Sequence, residues 1–256
     1  GAGNMDTLSL KGEISSVQVG DSTRFPNTKL NIVSRADHSV VSIRTSADNT
    51  LNDADLYADV FTLADGVRVQ FRPSSFVLNE KKWSIEKEGE LVVRTHFASA
   101  RNVKFTQGFQ EITVKTEEED GGNTNNLVVK LKNVILGDLT SLFIKNPHLE
   151  GITNGDVVLS DFFGQFRADA KLKAEQFRID DDSIGMVNIK ANYDSRTGKI
   201  SLNGLSPNEG YNFSFNGFYN LKDSVDNPLN LDIKLDDSKI DILHKFLGDL
   251  FTDIKG

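Results

Sequence analysis

Apolar and polar residues alternate one by one through much of this chain, and that alternation constrains the fold more than any other feature. Residues 211–221 (YNFSFNGFYNL) and 229–235 (LNLDIKL) carry an apolar residue at nearly every second position. The stretches that begin at Val67, Leu91 and Ala168 repeat the pattern. Because successive side chains of a strand point to opposite faces, the alternation predicts an all-β fold. Its strands have one apolar and one polar face and pair antiparallel.

Turn-forming residues separate the alternating stretches. Asp65-Gly66 and Asp194–Gly198 each predict a hairpin, and Asp180–Asp182 predicts an acidic turn. The longest polar stretch, Glu117–Asn126, lacks the ligand spacing of a calcium loop, so we interpret it as a solvated hairpin tip. Trp83, the only tryptophan, is expected to anchor its strand in the core.

Two segments have helical spacing instead. Residues 238–251 (SKIDILHKFLGDLF) place apolar residues three or four positions apart, and residues 138–145 contain a shorter version. We therefore predict two short helices, near 138–145 and 238–251.

The two helical segments belong to an internal repeat. Residues 127–151 and 231–256 both run from an alternating strand through Lys-Leu into the helical segment, and both end in an apolar residue, a charged residue and glycine. The period is roughly 105 residues, and we interpret it as repeated units along an elongated sheet rather than a closed globule. We expect a first repeat unit over 1–151 and a second over 152–256, within one continuous elongated domain.

Charge and cysteine content narrow the function classes. The chain has 29 Lys+Arg, 37 Asp+Glu, a formal charge of −8 and no cysteine. An acidic chain without a basic run in the sequence is a poor partner for nucleic acid. The absence of cysteine removes thiolate metal sites, disulfides and a cysteine nucleophile. No apolar run approaches the ~18 residues that would span a bilayer, and we expect a soluble piece of a longer protein.

The sequence holds no pattern that predicts catalysis, a cofactor or a metal. No G-x-S-x-G, H-E-x-x-H or phosphate-binding glycine loop occurs. The histidines stand apart from other metal-ligating residues and are expected to lie at the surface: His38, His96, His148 and His244. We therefore expect the chain not to be an enzyme.

Three segments resemble a known family when taken in order along the chain. They are residues 76–93 (FVLNEKKWSIEKEGELVV), 177–204 (FRIDDDSIGMVNIKANYDSRTGKISLNG) and 229–256 (LNLDIKLDDSKIDILHKFLGDLFTDIKG). Together they resemble TamB-like (AsmA/TamB-type) translocation and assembly module proteins of the cell envelope, in the form found in the Bacteroides lineage. The resemblance falls within residues 60–256.

The resemblance implies both a fold and a function. The fold is a long curved antiparallel sheet that forms an elongated U-shaped trough with an apolar interior. The function is a periplasmic, lipid-conducting groove that supports phospholipid transport to the outer membrane and its assembly, in a full-length protein anchored in the inner membrane. The implied partners are phospholipid or another acyl-chain ligand, and an outer-membrane assembly partner of the TamA/BamA type.

Two alternatives stay open at this stage. One is a chaperone or binding module that pairs its sheet edge with strands of outer-membrane β-barrel proteins. The other is a structural β protein without cargo, in which side chains fill the interior. Small residues on the apolar side fit either an open channel or tight packing: Ala168, Ala170, Ala174, Ala191, Gly204 and Gly217.

The expected lining of the groove follows from the alternation in the second half of the chain. Its residues share the apolar side of their predicted strands. They are Val187, Ile189, Tyr193, Ile200, Leu202, Tyr211, Phe213, Phe215, Tyr219, Leu229, Leu231 and Ile233.

Overall fold

The predicted all-β class is confirmed. The structure is a computed structural model that describes residues 7–19, 23–45, 54–119, 122–140, 148–180, 182–221 and 229–238. In these ranges, eighteen strands run antiparallel to their neighbours in an open sheet, and the helical part is one segment of five residues. The finer prediction of a U-shaped trough stays a prediction.

The strands follow the alternating stretches closely. In chain order they are β1 (Leu8–Val19), β2 (Thr23–Arg35), β3 (His38–Thr45), β4 (Ala54–Leu63), β5 (Gly66–Phe71), β6 (Ser74–Leu78), β7 (Lys81–Ile85), β8 (Glu90–Arg94), β9 (Phe97–Arg101), β10 (Val103–Gln107), β11 (Gln110–Glu119), β12 (Gly122–Ile135), β13 (Leu149–Ser160), β14 (Arg167–Ile179), β15 (Asp182–Asp194), β16 (Lys199–Asn208), β17 (Tyr211–Asn220) and β18 (Leu229–Ser238). The helix, α1, is Leu136–Thr140.

The chain divides into two compact units, residues 1–129 and 130–256. The internal repeat predicted a boundary between residues 151 and 152, some twenty residues further on. The unit boundary falls inside β12, whereas the repeat places its boundary inside β13. The repeat itself stays a prediction.

In the first unit, strands β2, β3, β4, β5, β8 and β9 pair in that order. The predicted hairpin at Asp65-Gly66 joins β4 to β5, with Ala64 and Asp65 in the turn and Gly66 as the first residue of β5. A second hairpin joins β6 to β7 through Asn79 and Glu80, both with positive φ, as in the twisted two-residue turns that suit hairpins. The core of this unit includes Trp83, which is 1% exposed and stacks on Phe76, so its predicted anchoring role is confirmed.

The second unit contains a simple meander. Each strand from β13 to β18 pairs with the next one along the chain. The predicted hairpin at Asp194–Gly198 joins β15 to β16, and the backbone N–H of Gly198 donates to the carbonyl of Asp194 at 2.9 Å. Such short connections keep the register fixed, because a slip of one residue would turn every apolar side chain to the polar face.

A β-bulge in β14 keeps its apolar residues on one face. The register with β15 shifts between Ala174 and Phe177, and Gln176 has a φ of 52°. The extra residue changes the parity of the strand. Ala174, Phe177 and Ile179 are therefore all buried on the same side, although the first two are an odd number of residues apart.

Only the first of the two predicted helices has a helical segment within the described residues. The structure places α1 at Leu136–Thr140, two residues earlier than the predicted start at 138, and residues 141–147 lie outside the described ranges. The helix predicted near 238–251 also lies outside them, except for Ser238, which ends β18.

The polar stretch Glu117–Asn126 is largely strand. β11 continues to Glu119 and β12 begins at Gly122. The side chain of Asn126 donates a hydrogen bond to the carboxylate of Glu117 at 2.8 Å, which links the two strands. The connection between them is therefore shorter than the hairpin tip predicted over Glu117–Asn126.

Candidate functional site

The meander of the second unit has one continuous apolar surface, which we call the apolar face. Its residues lie in rows across the strands. They are Leu159, Ala168, Tyr193, Ile200 and Tyr219 in the first row; Val157, Ala170, Ala191, Leu202, Gly217 and Leu231 in the second; and Gly155, Leu172, Ile189, Gly204, Phe215 and Ile233 in the third. None of these residues carries a charge, so the surface is a strip of aliphatic, aromatic and small side chains.

The opposite surface of the same strands is mostly polar, although it includes Val158, Leu205 and Phe218, and we call it the polar face of the second unit. Its central row lies one residue away from the apolar rows on every strand. It contains Asp156, Lys171, Lys190, Asn203, Asn216 and Asp232. The sheet therefore separates charge from apolar surface across its thickness, as the alternation predicts.

One end of the apolar face is closed by a hydrophobic core. Val187 is 1% exposed and Phe213 is 4% exposed, and both pack in a cluster with Phe177 and Ile179. Leu136 of α1 packs against this cluster from outside the meander. Packed side chains would therefore block this end of the face to a ligand bound elsewhere on it.

The other end of the apolar face is open and aromatic. Tyr219 is 39% exposed in the first row, and Phe163 is 47% exposed in the connection between β13 and β14. In the same connection the ring centroid of Phe166 lies 6.1 Å from that of Tyr193 and 5.7 Å from that of Phe162. Several aromatic side chains therefore lie at the end of the strands where the apolar rows reach solvent.

Polar contacts fix the aromatic connection in place. The side chain of Gln165 donates to both carboxylate oxygens of Asp194 at 2.8 Å, and the carbonyl of Phe166 accepts from the backbone N–H of Ser195. Arg196 binds the same carboxylate at 3.0 Å. Hydrogen bonding from Arg196, with that from Gln165, holds the pKa of Asp194 well below its usual range. The carboxylate thus stays charged and keeps two turns together.

Some small residues on the face serve packing. A Cβ added at Gly204 would overlap the ring of Phe215, which lies over that position. Ala174 is 1% exposed within the core cluster. Of the two interpretations that the sequence left open for small residues, the structure therefore favours packing at these two positions. Ala168, Ala170 and Ala191 are partly exposed on the rows.

The predicted lining residues lie on one side of the meander but differ in exposure. Val187 and Phe213 belong to the buried core. Those that are partly exposed are Ile189, Tyr193, Ile200, Leu202, Tyr211, Phe215, Leu231 and Ile233. Tyr219 is exposed. Leu229 lies opposite it in the backbone pairing of β17 with β18.

The structure adds residues that the prediction left out. Val157 and Leu159 of β13 and Leu172 of β14 extend the rows. At the open end Phe166 lies against Tyr193 and Phe162, and Phe163 is exposed in the same connection. The run FFGQF at 162–166 was the available signal, because three phenylalanines in a connection between strands are unusual for a solvated loop.

Metal-binding clusters and membrane-spanning helices are absent from the described part of the chain. It holds no group of three or more His, Asp and Glu residues placed to bind a metal ion. It also holds no helix with the length and apolar character that spanning a membrane requires. No protein-family model, curated protein or solved structure matches the chain.

Proposed function

We propose that the apolar face of the second unit binds acyl chains and that the protein is a non-enzymatic lipid-binding and lipid-conducting module. The observation that carries the proposal is the set of three uncharged rows across β13–β18, most of whose side chains are only partly buried. An apolar sheet face must be covered by something, and a contiguous, partly exposed apolar surface is typical of a binding surface.

The size of the face suits a lipid tail. Along β17 the face runs from Tyr219 at the open end to Phe213 at the core, which is about 20 Å at ~3.3 Å per residue, and six strands ~4.8 Å apart make it about 24 Å wide. About twelve buried methylene groups would contribute roughly 10 kcal/mol of gross transfer free energy. Part of that is lost in ordering the chain, which leaves a useful but reversible affinity.

The two ends of the face give the bound lipid a direction. In the proposal the tail enters at the aromatic end beside Tyr219 and Phe163 and points toward the core at Phe213. The headgroup stays in water near Arg196 and Lys199, at the turn between β15 and β16. Amphipathic aromatic residues are common where one end of a site is apolar and the other is wet.

The cellular setting of the proposal comes from the resemblance to TamB-like proteins. In that setting the sheet curves into a U-shaped trough whose interior is the apolar face, in the periplasm between the two membranes. Phospholipid is the cargo, and an outer-membrane assembly protein of the TamA/BamA type is the partner.

The cargo-free structural alternative is favoured by one observation. The cluster around Val187 and Phe213 is fully buried, so at that end side chains already fill the space in front of the sheet. If similar packing continued along the whole face, no room would be left for a lipid tail. The test below distinguishes the two functions.

The experiment compares two neighbouring substitutions on β16. Ile200→Asp places a carboxylate on the apolar face, and Ser201→Asp places one on the polar face. We expect the parent and the Ser201→Asp variant to bind a fluorescent phospholipid equally, and Ile200→Asp to bind at least tenfold more weakly, because a charge within the tail path must be desolvated. Circular dichroism checks that both variants are folded.

The proposal fails if the parent does not bind the phospholipid. It also fails if a folded Ile200→Asp variant binds as well as the parent, because the tail would then lie elsewhere.

A further inference from the structure

A row of cationic and aromatic side chains crosses the first unit on the polar side of its strands. In register across β2 to β5 it contains Arg35, His38, Phe61 and Arg68. The rings of His38 and Phe61 stack almost parallel, with centroids 4.7 Å apart. The guanidinium of Arg68 lies over the same Phe61 ring, 4.6 Å from its centroid.

The arginines around this row are paired with carboxylates. Four ion pairs lie on the same surface: Arg44 with Asp55 at 2.9 Å, Arg72 with Asp59 at 2.6 Å, Arg94 with Asp65 at 2.7 Å and Arg101 with Glu90 at 3.5 Å. Each of these pairs neutralises its own charge locally.

Arg68 differs from these arginines. Its Nε is shielded from solvent and has no hydrogen-bond partner among the described residues. A buried donor without an acceptor costs free energy, and a small shift of the half-buried Arg68 side chain would let a bound anion supply the missing acceptor. Arg35, at the far end of the row, likewise has no ion pair within the described ranges, but it is exposed and therefore hydrated.

Two carboxylates, Asp59 and Glu90, lie in register with Gln70, two residues along β5 from Arg68, and both are already engaged. The carboxylate of Asp59 accepts two hydrogen bonds from the Arg72 guanidinium, each at 2.6 Å. The Nε2 atom of His38 lies 2.7 Å from the same carboxylate. The hydrogen bond from Arg72 is the main cause that lowers the pKa of Asp59. Glu90 is shared between Gln70 and Arg101. Neither carboxylate is left to neutralise the Arg68 guanidinium.

We propose that Arg68, held in place on Phe61, anchors a binding site for a phosphate group. A guanidinium presents a planar fork of donors that matches phosphate oxygens, and stacking on an aromatic ring fixes its orientation. A phosphate monoester carries about −1.5 to −2 charges at pH 7. Arg35, in the same row, supplies further positive charge. The site is on the first unit and does not depend on acyl-chain binding by the second.

The test uses inorganic phosphate and a matched pair of variants. Arg68→Gln removes the unpaired guanidinium, whereas Arg44→Gln removes one that also lies near an aromatic ring, Tyr57, but is paired with Asp55. By isothermal titration at low salt we expect Arg68→Gln to weaken phosphate binding at least tenfold. Arg44→Gln should change it less than threefold, and Arg68→Lys should retain part of the affinity. Thermal melting checks the fold of each variant.

A second arm identifies the source of the phosphate. Vesicles of phosphatidylcholine with phosphatidic acid are compared with phosphatidylcholine alone in a sedimentation assay. Phosphate binding without vesicle binding indicates a soluble phosphate ligand, and Arg68-dependent binding to the acidic vesicles indicates a lipid headgroup. Equal losses in Arg68→Gln and Arg44→Gln would overturn the proposal in favour of diffuse charge attraction. Absence of binding in both arms would overturn it outright.

Discussion

At the scale of single residues, the contact between Gly204 and Phe215 shows how the apolar face is built. The ring of Phe215 occupies the space where a side chain at position 204 would begin. The two residues lie opposite each other on β16 and β17. A glycine on a strand weakens it unless another group approaches closely, and here that group is an aromatic ring.

Adding one methyl group at position 204 is expected to destabilise the protein strongly. Gly204→Ala should lower the free energy of unfolding by about 1–3 kcal/mol, since the ring must move from its place. Gly12→Ala is the control, because a Cβ there meets only the Cβ of Leu30 at 3.9 Å, and its effect should stay within about 0.5 kcal/mol.

A double-mutant cycle locates the cause. In a Phe215→Leu background the substitution Gly204→Ala should cost at least about 1 kcal/mol less than in the parent, because the ring is gone. Urea unfolding measures all four proteins. Additive costs would mean that the strain at Gly204 lies elsewhere.

Some residue roles followed from the sequence and others did not. The burial of Trp83 was predictable, because a lone large aromatic residue in an alternating strand has strong reason to face the core. The group of His38, Asp59 and Arg72 was not, since these residues are at least thirteen positions apart and meet only through the register. Alternation tells which face a side chain occupies, but not which residue lies opposite it.

At the scale of elements, β17 passes from a buried core to an open surface. Phe213 near its start is 4% exposed, and Tyr219 near its end, on the same face, is 39% exposed. The same strand therefore offers two environments for one substitution.

We expect the cost of a carboxylate to fall along this strand. Phe213→Asp should destabilise the protein by several kcal/mol, because the charge has no partner in the core. Tyr219→Asp should cost at least about 2 kcal/mol less, because its position has access to water. Urea unfolding of both variants makes the comparison, and equal costs would show a face that is packed along its whole length.

The elements were predictable where one period ran without interruption. The alternation at 211–221 corresponds to β17. The bulge in β14 was not predictable, because the odd spacing from Ala174 to Phe177 is read from sequence as a loss of alternation. The start of α1 at Leu136 was missed for a related reason, since Val134, Ile135 and Leu136 form an apolar run that fits a strand or a helix.

At the scale of the whole molecule, the fold class followed from the alternation but the role of the apolar face did not. A sequence pattern states that one face of each strand is apolar. It does not state whether side chains, another segment or a ligand covers that face. On this one surface, other side chains cover Phe213, whereas Ile200 and Leu202 are left partly exposed.

The most direct test of acyl-chain binding places a photo-reactive group on each face of β16. A benzophenone amino acid replaces Leu202 on the apolar face or its neighbour Asn203 on the polar face. Each purified protein is illuminated in the presence of phospholipid vesicles, and mass spectrometry counts lipid adducts. Acyl-chain binding on the apolar face predicts adducts at position 202 and few at position 203. Equal labelling at both positions, or none at 202, would contradict acyl-chain binding on the apolar face.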